Sequence, residues 1–154
     1  MYSKIRENMN RQAKGLELLH SLLQEEFTLL LERNVEEVSS IEFSIHELMR
    51  QLLAERMEIR KTMNGVKVTE YADMLPPEDK AEIKALVDEL LEREQVCSRQ
   101  AGLNSTLAFG LMDQGQELLD FLYSSAVPKQ SDVYGANGGM QTSKPGAALI
   151  SGRL

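Results

Sequence analysis

Residues 76–122 read PPEDKAEIKALVDELLEREQVCSRQAGLNSTLAFGLMDQGQELLDFL. Pro76-Pro77-Glu78-Asp79 is a helix start. Proline is tolerated in a first turn whose N–H groups lack intrahelical partners, and acids are favoured by the helix dipole. From there Ile83, Leu90, Cys97, Asn104, Leu111 and Leu118 recur every seven residues, with Leu86, Leu107 and Phe121 as companions. Val87, Ala101, Ala108, Gly115 and Leu122 widen the stripe beyond the seam of a two-stranded coil, which suits a helix flanked by two others. Gly102, Gly110 and Gly115 each weaken the helix by up to about 1 kcal/mol relative to Ala. They would allow close helix contact or a bend near Gly102. The heptad phase survives them, so one long helix is the preferred reading.

Working back toward the N-terminus, Leu16, Leu19, Leu23, Phe27 and Leu30 recur at three- and four-residue steps. A second run holds Val38, Ile41, Ile45, Leu48, Leu52 and Ile59, out of phase with the first. The phase changes at Glu32-Arg33-Asn34-Val35-Glu36-Glu37, where Asn34 and Glu37 have capping-box character. This predicts a helix end near Arg33 and a new start at Asn34, against the alternative of one long helix with a stutter. The second helix should close at Met63-Asn64-Gly65, since Gly65 can take the left-handed conformation. Val66 to Leu75 shows no helical stripe, and Val66-Lys67-Val68 reads as a short extended piece with nothing to pair with. The fold class is all-α: an antiparallel bundle of three long helices, or four if the last breaks near Gly102.

Toward the C-terminus the composition changes. Residues 1–124 are read as the helical body and residues 125–154 as a flexible Gly/Ser/Pro tail. The tail holds half of the ten glycines and half of the four prolines. Such a segment cannot bury enough apolar surface to offset its ordering entropy, so it is expected to order only on a partner. One aromatic turn stands in it, Val133-Tyr134-Gly135-Ala136-Asn137-Gly138.

Aromatic residues make up 5% and Trp is absent, so the core must be aliphatic, which favours interlocking helices over a sandwich or barrel. The net charge is −7. Lys129, Lys144 and Arg153 against Asp132 make the tail +2 and leave the body at −9. An acidic body offers no footprint for nucleic acid or anionic lipid. Cys97, the single cysteine, excludes an internal disulfide and fits a reducing compartment. The charged start lacks a signal-peptide pattern, and no apolar run reaches bilayer-spanning length, so the expected setting is cytosolic, without membrane insertion.

Catalytic or metal chemistry finds little to work with. Glu17-Leu18-Leu19-His20 is half of a helical di-iron motif, but His46 has Phe43 where the second half needs a glutamate. His46-Glu47 lacks the second histidine of a zinc-protease helix. No phosphate loop or nucleophile elbow is present, and Cys97 reads as an inert core thiol. No cofactor, metal or enzymatic activity is expected. Asn104 either fixes register inside the seam or sits solvated at its rim. Of the methionines, Met9, Met49, Met57, Met63, Met74 and Met112 read as core filler sooner than as an adaptable binding surface.

The chain resembles the FlgN-like family of flagellar type III export chaperones. Over residues 10–124 the resemblance rests on the Leu- and Glu-rich first helix, the break near Asn34, a second helix with Ile45, Leu48 and Leu52, and the long helix through Asn104 to Leu122. It is sharper at Val133-Tyr134-Gly135-Ala136-Asn137-Gly138, which is similar to a family motif of an apolar residue, Tyr-Gly, a variable residue, an acid or amide, and Gly. Asn137 stands where an aspartate is common. The resemblance implies a cytosolic, non-enzymatic, all-helical chaperone. Its cargo would be the C-terminal helical segments of the hook–filament junction proteins. Its other partners would be the cytosolic domain of the export gate and the export ATPase complex. It also implies gate docking through Tyr134, with Val133, Gly135, Asn137 and Gly138 shaping the turn. An apolar cargo groove is expected along Leu107, Leu111, Leu118, Phe121 and Leu122. The alternatives are a chaperone for the filament cap or flagellin, and a structural or regulatory coiled-coil protein.

Overall fold

The computed structural model describes residues 1–126, which form four helices: α1 (Tyr2–Glu32), α2 (Val35–Thr62), α3 (Val68–Asp73) and α4 (Pro77–Ala126). The phase change at Arg33-Asn34 is a genuine break. Arg33 takes the left-handed conformation at φ 57°. The N–H of Asn34 donates to the Leu29 carbonyl and that of Arg33 to the Leu30 carbonyl, which closes α1 with a Schellman motif. Asn34 then caps α2, its side chain accepting from the Glu37 N–H at 3.3 Å. The same device ends α2. Asn64 and Gly65 are both left-handed, at φ 51° and 83°, and their N–H groups reach the Lys61 and Arg60 carbonyls.

One expectation is overturned. Val66 to Leu75 is not stripe-free: Val68, Tyr71, Ala72 and Leu75 stand at i, i+3, i+4 and i+7, all packed on or in the core, and α3 forms on them. Lys67, the residue preceding the helix, is extended. The preferred reading of one long helix holds: α4 runs unbroken through Gly102, Gly110 and Gly115, so the fourth helix is α3 and not a fragment of α4. A Cβ at any of those three glycines would meet nothing within 4 Å, so they do not serve close helix contact. The glycine that does is Gly15, where a Cβ would come within 2.7 Å of the Leu52 side chain.

Residues Met1–Gln114 form one compact unit and a second begins at Gly115. In the first, α1 and α2 are an antiparallel pair. Asn8 Nδ2 donates to the Glu55 carbonyl at 3.0 Å, and Arg11 grips the Glu55 carboxylate with two bonds of 2.9 and 2.8 Å. Alongside, α4 runs parallel to α1 at a constant sequence offset: Cys97 Sγ donates to the Leu16 carbonyl and Asn104 Nδ2 to the Leu23 carbonyl, both 81 residues apart. Arg56 of α2 pairs with Glu94 of α4. The core starts earlier than the Leu16 run suggests, since Ile5, Met9 and Ala13 are buried with Leu16, Leu19 and Leu23. From α4 it takes Ile83, Leu90 and Cys97, with Asn104 as a buried polar member.

Beyond Asn104 the heptad no longer describes a core. Leu107 and Leu111 are half-buried, and Leu118 is 58% exposed. The inward reading of Leu118 and Phe121 is therefore corrected: the seven-residue spacing persists, but among the described residues both side chains are exposed. The methionine reading is corrected likewise. Met9 and Met63 are core, whereas Met49, Met57, Met74 and Met112 are exposed.

Candidate functional site

The C-terminal turns of α4 carry a surface that a solitary helix has no reason to display. Every residue of Gly115–Ala126 is exposed, and among them are Leu118, Leu119, Phe121, Leu122 and Tyr123. At 100° per residue these five side chains sweep about 200° of the helix circumference. Burying such side chains yields about 1.5–3 kcal/mol apiece, so a partner that covered them would gain substantially. Leu118, Phe121 and Leu122 stand at i, i+3 and i+4, the spacing by which one helix presents a face to another. Glu117 stands beside Phe121 at the edge of that face, while Asp120 lies on the opposite side of the helix and accepts a hydrogen bond of 2.9 Å from Gln116.

Within the first unit, Leu107 and Leu111 lie one turn apart on α4 and remain half-buried, while Phe109 and Met112 are largely exposed. All five expected groove residues thus offer apolar surface. Leu119, Tyr123, Phe109 and Met112 belong to the same exposed set and were not anticipated. Their signal was present: Leu118-Leu119 and Phe121-Leu122-Tyr123 are runs that a single buried stripe cannot accommodate.

A second feature lies wholly inside the first unit. A cleft of about 670 Å³ opens where the end of α2, the connector, the start of α3 and the first half of α4 meet. Its walls are Met9, Ile59, Val66, Val68, Leu90 and Leu91, and its rim carries Arg56, Arg60, Lys67 and Glu94. Arg56 and Glu94 pair with each other, leaving Arg60 and Lys67 without a carboxylate partner among the described residues. Sequence reading missed the cleft because its walls come from three segments far apart in the chain: α1, the stretch from Arg56 to Thr69, and α4.

The features once weighed for chemistry resolve into structure. Asn104 is buried at 4% exposure and also donates to Glu26 at 2.6 Å while accepting from Gln100 at 3.0 Å, so it belongs inside the seam. Burial pushes the Cys97 thiol above its ordinary pKa, opposed by the charge of Arg93. Glu17 lies 3.6 Å from Arg93, and no group of three or more His, Cys, Asp or Glu among the described residues could hold a metal ion. No helix among them is long and apolar enough to cross a membrane. Val133, Tyr134, Gly135, Asn137 and Gly138 lie outside the described residues.

A sequence model of one protein family, described as FlgN protein, matches residues 1–142. The match takes in the whole described helical body and the sequence motif around Tyr134. No curated protein and no solved structure matches the chain. The chain belongs to the FlgN family, and membership implies a flagellar export chaperone.

Proposed function

We propose that this member of the FlgN family sequesters the C-terminal helical segments of hook–filament junction proteins in the cytoplasm and presents them to the export gate. The observation that carries the cargo half is the uncovered apolar face of Leu118, Phe121 and Leu122, with Leu107 and Leu111 preceding it on α4. Amphipathic terminal helices associate prematurely when free, and an apolar helix face is the simplest surface on which to hold one. The face is open and not a closed cavity, which suits a carrier that must later release its cargo.

The gate half rests on Tyr134, between Val133 and Gly135 in the tail. A tyrosine ring brings apolar area and a hydroxyl donor to a partner's pocket, and Gly135 and Gly138 let the backbone turn tightly around it. Tyr134→Ala is expected to leave cargo affinity unchanged and to weaken binding to the purified gate domain more than ten-fold, about 1.4 kcal/mol. Calorimetric titration of parent and variant decides this; equal affinities would reduce the tail to a linker. Titrating junction proteins, filament cap and flagellin in parallel separates the proposed cargo from the alternatives.

A further inference from the structure

We propose that the cleft in the first unit binds a small amphipathic anion, a single-chain fatty carboxylate, whose chain covers the apolar walls while its head meets Arg60 and Lys67. The walls ask for an apolar guest: Val66 and Leu91 are left 41% and 53% exposed beside the buried Met9, Ile59 and Leu90. Gln12, the buried polar residue among them, already donates to Asn8 at 2.6 Å. At about 670 Å³ the cleft has the size of a small-molecule site. Arg60 and Lys67 supply the charge. Arg11, Arg56 and Arg93 each reach a carboxylate on a neighbouring helix, whereas Arg60 and Lys67 pair with none among the described residues. The dipole of α2 accounts for a cation in its last turn, where Arg60 stands. Lys67 has no such reason, because it occupies the N-cap of α3, the helix end that disfavours a cation.

An anion is repelled by most of a body of net −9, so apolar walls joined to two uncommitted cations mark a place that can hold it. The carboxylate gives Arg60 a two-oxygen acceptor suited to a guanidinium, and gives Lys67 a point-charge partner. Each methylene laid on the walls should tighten binding by up to about four-fold, until the walls are covered. Bound there, the ligand touches α1, α2, the start of α3 and α4 at once, and it stabilises the first unit by mass action. None of the lining residues belongs to the face of Leu118, Phe121 and Leu122, so this site does not depend on the cargo reading.

Calorimetric titration of the full chain with decanoate, kept below its micelle concentration, tests the site. Saturable one-to-one binding is expected, weakening as salt is raised and tightening from octanoate to decanoate. Decyl maltoside, with the same chain and an uncharged head, should bind about ten-fold more weakly or worse. Arg60→Ala/Lys67→Ala and Leu91→Glu, all at exposed positions, should keep the parent's circular dichroism and lose about ten-fold or more in decanoate affinity. Arg60→Lys/Lys67→Arg, which preserves both charges, should retain binding, and Leu118→Ser/Phe121→Ser should bind decanoate like the parent. Decanoate should raise the melting temperature of the parent and leave that of Arg60→Ala/Lys67→Ala nearly unmoved. Absence of saturable binding, equal decanoate affinities in the parent and Arg60→Ala/Lys67→Ala, or loss of affinity in Leu118→Ser/Phe121→Ser would each overturn the proposal.

Discussion

Asn104 illustrates how much one residue does in this molecule. It occupies an inward heptad position, yet its amide is fully engaged, donating to the Leu23 carbonyl at 2.7 Å and to Glu26 while accepting from Gln100. A polar side chain so placed accepts only the register in which its partners line up, which locks α4 against α1. Asn104→Ala is expected to lower stability by about 1–3 kcal/mol, measured by denaturant titration, through the lost bonds and the desolvated groups left behind. Sequence alone left Asn104 between seam and rim, because a heptad position does not say whether a neighbouring helix is there. Cys97, one heptad earlier, is protected by the same packing. With its thiol buried and its pKa raised, it should react with a thiol reagent far more slowly in the native protein than after unfolding.

At the scale of elements, the long helices were legible and the short one was not. The breaks at Arg33-Asn34 and Met63-Asn64-Gly65 were readable because capping residues act locally. Gly65→Ala should cost about 1 kcal/mol or more, since φ 83° strains any L side chain, and a thermal melt will register it. α3 escaped notice because six residues hold too few apolar positions to announce a period, and its buried residue is only an alanine. It is tied to α4 by Asp73, which contacts Lys80 at 3.0 Å and Lys84 at 3.1 Å. The hydrogen bond from Lys80, then that from Lys84, hold the Asp73 carboxyl below its ordinary pKa. A carboxylate whose folded pKa is depressed contributes stability that is complete above its unfolded value. That contribution is lost as pH falls through the folded one. The difference in melting temperature between the parent and Asp73→Asn should therefore be full near neutrality and close in acid.

For the whole molecule, the division between buried core and exposed apolar surface runs along a single helix. Ile83→Ala and Leu90→Ala remove buried side chains and should each cost about 2–5 kcal/mol in denaturant titrations. Leu111→Ala, at a half-buried position, should cost less. Leu118→Ser/Phe121→Ser should leave the melting temperature nearly unchanged while abolishing cargo capture, because those side chains meet solvent before cargo arrives. Removing residues 126–154 should preserve both helicity and cargo binding while ending gate binding, a combination that circular dichroism and paired titrations will reveal.

By itself the sequence determined the all-helical class, the two breaks, the start of α4 at its proline pair and the family. Each of these follows from local signals: periodicity, capping residues, composition, and the Val133–Gly138 motif around Tyr134. Only the tertiary structure decided where the heptad of α4 stops being core, that Asn104 is buried, that α3 exists, and that a cationic-rimmed cleft opens beside it. The physical reason is that burial belongs to pairs of elements. Leu90 and Leu118 occupy equivalent positions in one repeat, and what separates a core residue at 9% exposure from a surface residue at 58% is the helix that does or does not cover it.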